Sequence, residues 1–562
     1  MPPESAKCES AVYSEDYVDY IIEYNPRRDN IKQDIERYCI QYINEVQAVL
    51  YVPEDNREFL VSNRGYSALP KCYGLLDTEV LQNTGIARLR RQPFFNLYGR
   101  GVLIAIIDTG IDYRHPAFVK ADNTTKIVAA WNQNDRTGPK PEGISYGTEY
   151  SGEDINGALN NGETGPESLI AGSEHGTGIA AIAAGMENEE NGFSGMAPDA
   201  ELVIVKLKEA KKIYKEYYRI PDDARIFQEN DIMMGITYAL GISKREGKPL
   251  VICLGTGTNQ GDHNGTGQLS AYLNLLAVNP GIFVCVAAGN ETAKAHHYRS
   301  GLLDYGEYED VEMYVGSNSS GFTAEIWGNA RSLFAIQIKP PAGDFSGLID
   351  ARFEENRTIN FSLNDSLVEI SVEIIERGSG DELIFIRFVN PNEGLWSVRV
   401  ILQNEQPGIF DMWLPMDNML SSETEFLEPS SDVTICEPGN TAGVITFGGS
   451  TVSGRSLYVN SSRGFTRSGS VKPDVTAPAV NVYTASVNNA YTEVTGTSIA
   501  AGIGAGSVAL IAEWSVRNNP VNSIAAKKYL IRGADREGIE VPDKGWGWGR
   551  LDLYNSFTGI EG

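Results

Sequence analysis

The sequence predicts an α/β protein: a parallel sheet with helices on both faces, a small α+β unit ahead of it and an all-β insertion within it. Three observations carry this. Short apolar runs, VLIAIID (102–108), ELVIVKL (201–207), PLVICLG (249–255) and GIFVCVAAG (281–289), alternate with helix-like segments at 176–184, 231–244 and 267–278. Strands that are apolar on both faces and separated by helices belong to a parallel sheet covered on both sides. From 303 to 437 the pattern becomes period-two alternation (LFAIQIKP, TINFSL, LVEISVEII, ELIFIRFV, WSVRVILQ), broken by turn residues, as in a β-sandwich or jelly roll. The run AGVITFGG (442–449) then resumes the α/β pattern, so the β region is an insertion and not a tail.

Taken in order, residues 1–78 are rich in tyrosine and charge. A helix-like stretch at 30–46 and strand-like runs at 46–52 and 59–61 suit a small α+β unit. Residues 79–302 form the first part of the α/β domain, 303–437 the inserted β unit and 438–562 the second part. The stretch 494–512 is apolar but built from Gly, Ala, Ser and Thr, which suits a buried helix better than a membrane span.

Composition narrows the function classes. The 562 residues carry a formal net charge of −27. That balance offers no positive field to recruit nucleic acid and disfavours an anionic membrane surface. The cysteines, Cys8, Cys39, Cys72, Cys253, Cys285 and Cys436, form no CxxC pair, so no zinc site is expected and reduced thiols are. The N-terminal run MPPESAKCESAVYSEDYVDYII has neither a basic nor an apolar signal region, so the expectation is cytoplasmic synthesis without a signal peptide. Acidic runs such as 151–161 are candidates for calcium, but none has EF-hand spacing; they read as solvated loops, and no metal or cofactor is expected.

Four local signals carry chemistry. Asp108 ends a buried strand before the turn Thr109-Gly110, where ligands of open α/β sheets bind. His175 precedes Gly176-Thr177-Gly178 and opens a helix. Ser498 stands in Gly496-Thr497-Ser498 at the start of the Ala/Gly helix, and Asn290 follows Ala287-Ala288-Gly289 at a strand end. Singly, these read as a turn-capping Asp, a structural His and a helix cap. Together, the order Asp, His, Ser in one α/β chain is one of the arrangements of the serine triad, with an Asn amide to meet the developing oxyanion. Ser461-Ser462-Arg463-Gly464, Lys472-Pro473-Asp474-Val475 and Ala477-Pro478 add a fifth match.

On these motifs the chain resembles the subtilases over about residues 85–302 and 440–555. The resemblance implies a subtilisin-like sheet and a serine endopeptidase working through an acyl-enzyme. Ser498 would be the nucleophile, His175 the base, Asp108 its partner and Asn290 the oxyanion donor. Leu254, Gly255, Ala288 and Gly289 match the segments that line the family's substrate cleft. One departure is Ile499-Ala500-Ala501-Gly502 where most relatives read Met-Ala-Ala-Pro. With the insertion and the run 254–265, it points to the clostridial spore-germination proteases. That resemblance implies a prodomain cut near 76–79 and retained as an intramolecular inhibitor. It also implies a protein substrate, the zymogen of a spore cortex-lytic enzyme, and a spore-associated location. Some of these relatives are non-catalytic germination regulators, the alternative reading; an intact triad argues against it here. His115 reads as structural and His296-His297 as an exposed loop.

Overall fold

The apolar runs assemble into an eight-stranded sheet. In spatial order its strands are Val475–Val480, Ile445–Thr451, Ile282–Ala287, Leu250–Leu254, Leu103–Asp108, Glu201–Lys206, Ile127–Asn132 and Thr148–Ser151. All neighbours are parallel except the last pair. The computed structural model describes residues 11–23, 38–53, 65–75, 84, 96–160, 165–351, 355–361 and 366–558. Every residue of Leu103–Asp108 is buried, because helices cover both faces of a parallel sheet. One covering helix, Thr497–Arg517, is long and apolar enough to cross a bilayer, yet its apolar window is 89% buried inside the molecule. Its Ala and Gly positions let it lie close against the helix Glu174–Ala184 and the strands beneath.

The β unit is a sandwich of two antiparallel sheets, of six and four strands, running from His297–Arg299 to Thr424–Phe426. Its first strand starts ahead of residue 303 and its last ends ahead of 437. Ser366–Glu373 alternates buried and half-buried residues along its whole length, the period-two pattern of a sheet with one packed face. Met313, Phe322, Phe388, Trp396 and Phe410 fill the space between the sheets. Trp327, Phe385 and Trp413 instead join the core of the α/β domain. Phe385 stacks on Tyr217 at 5.6 Å and 12° and also meets Tyr66 and Tyr218.

The N-terminal unit contributes an antiparallel sheet in the order Tyr17–Glu23, Gln47–Pro53, Cys39–Tyr42. The described part of the stretch expected to be helical at 30–46 is thus a strand and a turn. Asn44 decides this: its carboxamide oxygen accepts the N–H groups of Val46 and Gln47 at 2.9 and 2.8 Å and reverses the chain. Residues 59–61 and the expected cleavage stretch 76–79 lie outside the described residues. Cys72, Cys253, Cys285 and Cys436 are free and buried, but Cys39 is disulfide-bonded, which corrects the expectation of reduced thiols throughout.

Ile21, Ile43, Val49 and Tyr51 of this unit share a core with Ile232, Met233 and Leu269, on the helices Glu229–Glu246 and Gln268–Ala277. At the same interface Asp19 pairs with Lys211 at 2.6 Å, both fully enclosed, and accepts from Gln228 and Asn230. Further along, Cys72–Leu75 forms the middle strand of a small sheet, antiparallel to Thr256–Gly257 on one side and Ile226–Gln228 on the other.

Candidate active site

Four chain segments far apart in sequence meet at the carboxyl edge of the central sheet. Asp108 ends its strand, His175 lies in the first turn of Glu174–Ala184, Ser498 in the first turn of Thr497–Arg517, and Asn290 follows Ile282–Ala287. His175 Nδ1 stands 2.8 and 2.9 Å from the two Asp108 oxygens. His175 Nε2 stands 3.2 Å from Ser498 Oγ. Asp108 is 1% exposed. Burial alone would raise its carboxyl, but the His175 imidazole and the Thr109 N–H hold it below the usual range. It therefore faces the imidazole as an anion, which fixes the tautomer with Nε2 open towards the serine.

Asn290 is oriented by Thr497, the residue just before Ser498. Its side-chain oxygen accepts from Thr497 N at 3.2 Å and Thr497 Oγ1 at 3.1 Å. A backbone N–H can only donate, so the atom facing it must be the oxygen, and the Asn290 NH₂ points the other way. Thr497 Oγ1 in turn accepts the Gly289 N–H at 3.0 Å. The Ser498 N–H belongs to the first turn of its helix.

The expected cleft residues fall into two kinds. Gly255 lies against the triad: a Cβ there would stand 3.2 Å from both His175 Cε1 and Ser498 Cβ and 2.6 Å from Ile179, so only glycine fits. Leu254 is a buried sheet residue, and the extended segment Cys72–Leu75 pairs two residues beyond it, at Thr256–Gly257. Ala288 and Gly289 have their backbone groups engaged with Phe447, Cys436, Thr497 and Ser462, so they shape a wall and offer no N–H to an incoming strand.

The remaining histidines are structural. His115 is enclosed and bonds Ala490 O and Ala117 N. His296 and His297, expected on an exposed loop, are 3% and 1% exposed, because the first sandwich strand carries His297 into the junction, where it stacks on Trp413. His296 pairs with Glu291, beside Asn290, at 2.7 Å. Among the described residues no group of three or more His, Cys, Asp or Glu is placed to hold a metal ion.

A serine hydrolase built on a parallel α/β sheet is the class that this fold and site define. The subtilase family model matches residues 99–323 and 421–549, and the chain belongs to that family. The unmatched stretch between falls within the sandwich. The solved structure of the Clostridium perfringens CspB protease superposes with a TM-score of 0.72 at 27% identity, covering 84% of this chain and 95% of that one. The C5a peptidase of Streptococcus pyogenes serotype M1 is 23% identical over 438 residues, 74% of this chain and 34% of that protein. This chain thus spans about a third of the length of that relative. Thermitase of Thermoactinomyces vulgaris is 29% identical over 202 residues, 36% of this chain and 51% of that protein.

Proposed function

We propose that the protein is a serine endopeptidase that cuts its own N-terminal unit free and keeps it bound as an inhibitor. The observation that carries the reading is the unbroken hydrogen-bond line from Asp108 through His175 to Ser498. In this reading Ser498 Oγ attacks a peptide carbonyl and passes its proton to His175 Nε2, which returns it to the leaving amine. Asp108 stabilises the imidazolium without taking the proton. The Asn290 amide and the Ser498 N–H receive the oxyanion. Water, activated by the same histidine, then frees the acyl-enzyme.

Self-cleavage is supported by the strand Cys72–Leu75, which lies between two enzyme strands as an extended substrate would. Retention is supported by the apolar interface and the enclosed Asp19–Lys211 pair. On the likeness to the germination proteases, we place the protein in the spore, acting on the zymogen of a cortex-lytic enzyme. A fluorophosphonate probe tests the chemistry: the expected result is covalent labelling of Ser498, lost in Ser498→Ala. A folded, unlabelled wild type would instead make the protein a non-catalytic regulator. Incubation with the purified zymogen tests the substrate, the expected result being one discrete cut.

A further inference from the structure

The strand Cys72–Leu75 does not end at its own pairing partners. Immediately upstream, Lys71 is 5% exposed and reaches into the α/β domain. A Cβ on Gly261 would stand 2.7 Å from Lys71 Nζ, and one on Gly267 would stand closer still; the walls of this pocket are glycines because a lysine side chain fills the space. Burial alone would lower the ammonium, but the carboxylates of Glu437, Glu229, Asp262 and Glu325 hold it raised. Glu437 Oε1, in a residue 1% exposed, has no hydrogen-bond partner and lies 3.4 Å from the point where a Gly261 Cβ would be. The other carboxylates are fixed by the enzyme and the sandwich. Glu229 accepts from Leu269 N at 3.0 Å, Asp262 from Thr266 Oγ1 at 2.8 Å and Glu325 from Gly261 N at 2.9 Å. Burial raises Glu437 to about 7 and raises Glu325 as well, so the pocket is an acidic cup around an ammonium supplied by the chain beside the enzyme strands.

We propose that this cup is a distal substrate subsite selecting peptides with a lysine or arginine four residues before the one that pairs with Thr256, and that Lys71 occupies it in cis. The inference rests on the endopeptidase reading and names its substrate class: extended chains with a basic side chain well upstream of the cut. Recognition at this position reaches one residue past the pairing with the two short flanking strands, Thr256–Gly257 and Ile226–Gln228. It favours substrates whose cleavage region is unfolded over at least that length. A hydrophobic residue in the cup would leave these buried carboxyls without their cation, so that they must take up protons, and an acidic one would add a further carboxyl.

The test uses the full chain and quenched fluorogenic peptides with the sequence of residues 66–82, carrying Lys, Arg, Met or Glu at the position of Lys71. The expected result is a kcat/KM for the Lys and Arg peptides about tenfold above the Met peptide, the size of one favourable buried charge interaction, with the Glu peptide slowest. Glu437→Gln should narrow the Lys-to-Met ratio while Ser498 still labels with the fluorophosphonate. Equal rates for Lys and Met peptides in the wild type overturn the subsite whether or not the variant folds. Where the labelled wild type cleaves none of the four because its own Lys71 fills the cup, the peptides are offered to the full chain carrying Lys71→Met, and failure of that chain to favour Lys over Met also overturns the subsite. A wild type that neither labels nor cleaves removes the endopeptidase reading itself.

Discussion

Thr497 fixes which way the Asn290 amide faces, and it does so with two donors on one oxygen. Thr497→Val keeps the backbone donor and removes the hydroxyl, so the carboxamide can turn. The expected outcome is a fall in kcat of the order of tenfold with KM little changed, restored by Thr497→Ser; an unchanged kcat would show that the hydroxyl does not orient the amide. Asn290→Ala removes the donor itself and should cost on the order of 10²–10³ in kcat. Ser498→Ala should abolish labelling and leave the melting temperature as it was. The helix is capped at Gly496 and does not depend on the serine for its start. Asp108, His175 and Ser498 were legible because each stands beside glycine-rich turn residues at an element's end. The role of Thr497 was not, because it depends on which way a side chain from another element points. His296 and His297 misled for a similar reason: nothing local says that a later strand, Phe410–Trp413, will cover them.

Among the elements, the sandwich strand Glu382–Val389 begins with a carboxylate in the wrong medium. Glu382 is 1% exposed and accepts the Phe334 N–H at 2.9 Å, and burial pushes it from 4.5 up to about 8. Between those values the unfolded chain has lost this proton and the folded chain still holds it. The contribution to stability is therefore complete below pH 4.5 and is lost as pH rises to 8, at most about 5 kcal/mol at about 1.4 kcal/mol per unit. Melting curves should show the wild type losing more stability between pH 5 and pH 8 than Glu382→Gln does; parallel losses would place the proton elsewhere. The central strands could be read because their runs are apolar on both faces, and the sandwich strands because they alternate. The turn at Asn44 was lost inside an apparently helical stretch, since one side chain reversed the chain where the spacing did not announce it.

At the scale of the whole molecule, three units meet around Phe385, where the sandwich, the N-terminal unit's Tyr66 and the α/β domain's Tyr217 and Tyr218 share contacts. Phe385→Ala should cost about 3–5 kcal/mol, as a cavity bordered by all three units. Excising the sandwich would remove Trp327, Phe385 and Trp413 and bare the Tyr66, Tyr217 and Tyr218 rings that they cover, and the trimmed enzyme should lose resistance to heat and protease. Full thermal stability in that chain would mean the junction adds nothing. The purified wild type is expected as two co-eluting fragments with a junction near 76–79, and Ser498→Ala as one uncut chain. Two fragments from that variant would mean that another protease makes the cut. Where the inserted unit would dock could not be read beforehand, because its joint is made by aromatic residues whose partners lie more than a hundred positions away.

The small sheet formed by Ile226–Gln228, Cys72–Leu75 and Thr256–Gly257 has a colloidal consequence. Withdraw the middle strand and two lengths of backbone are left facing each other with open N–H and C=O groups, a template for any extended polypeptide. The openness that lets a protease take many chains would also let one molecule take hold of the loose end of another. A molecule with this groove filled meets its neighbours with no such template and a net charge of −27. Emptying the groove should therefore be most hazardous at high protein concentration and high ionic strength, where charge no longer keeps copies apart. With Cys72–Leu75 in place between its two partner strands, the protein is fit for dense storage.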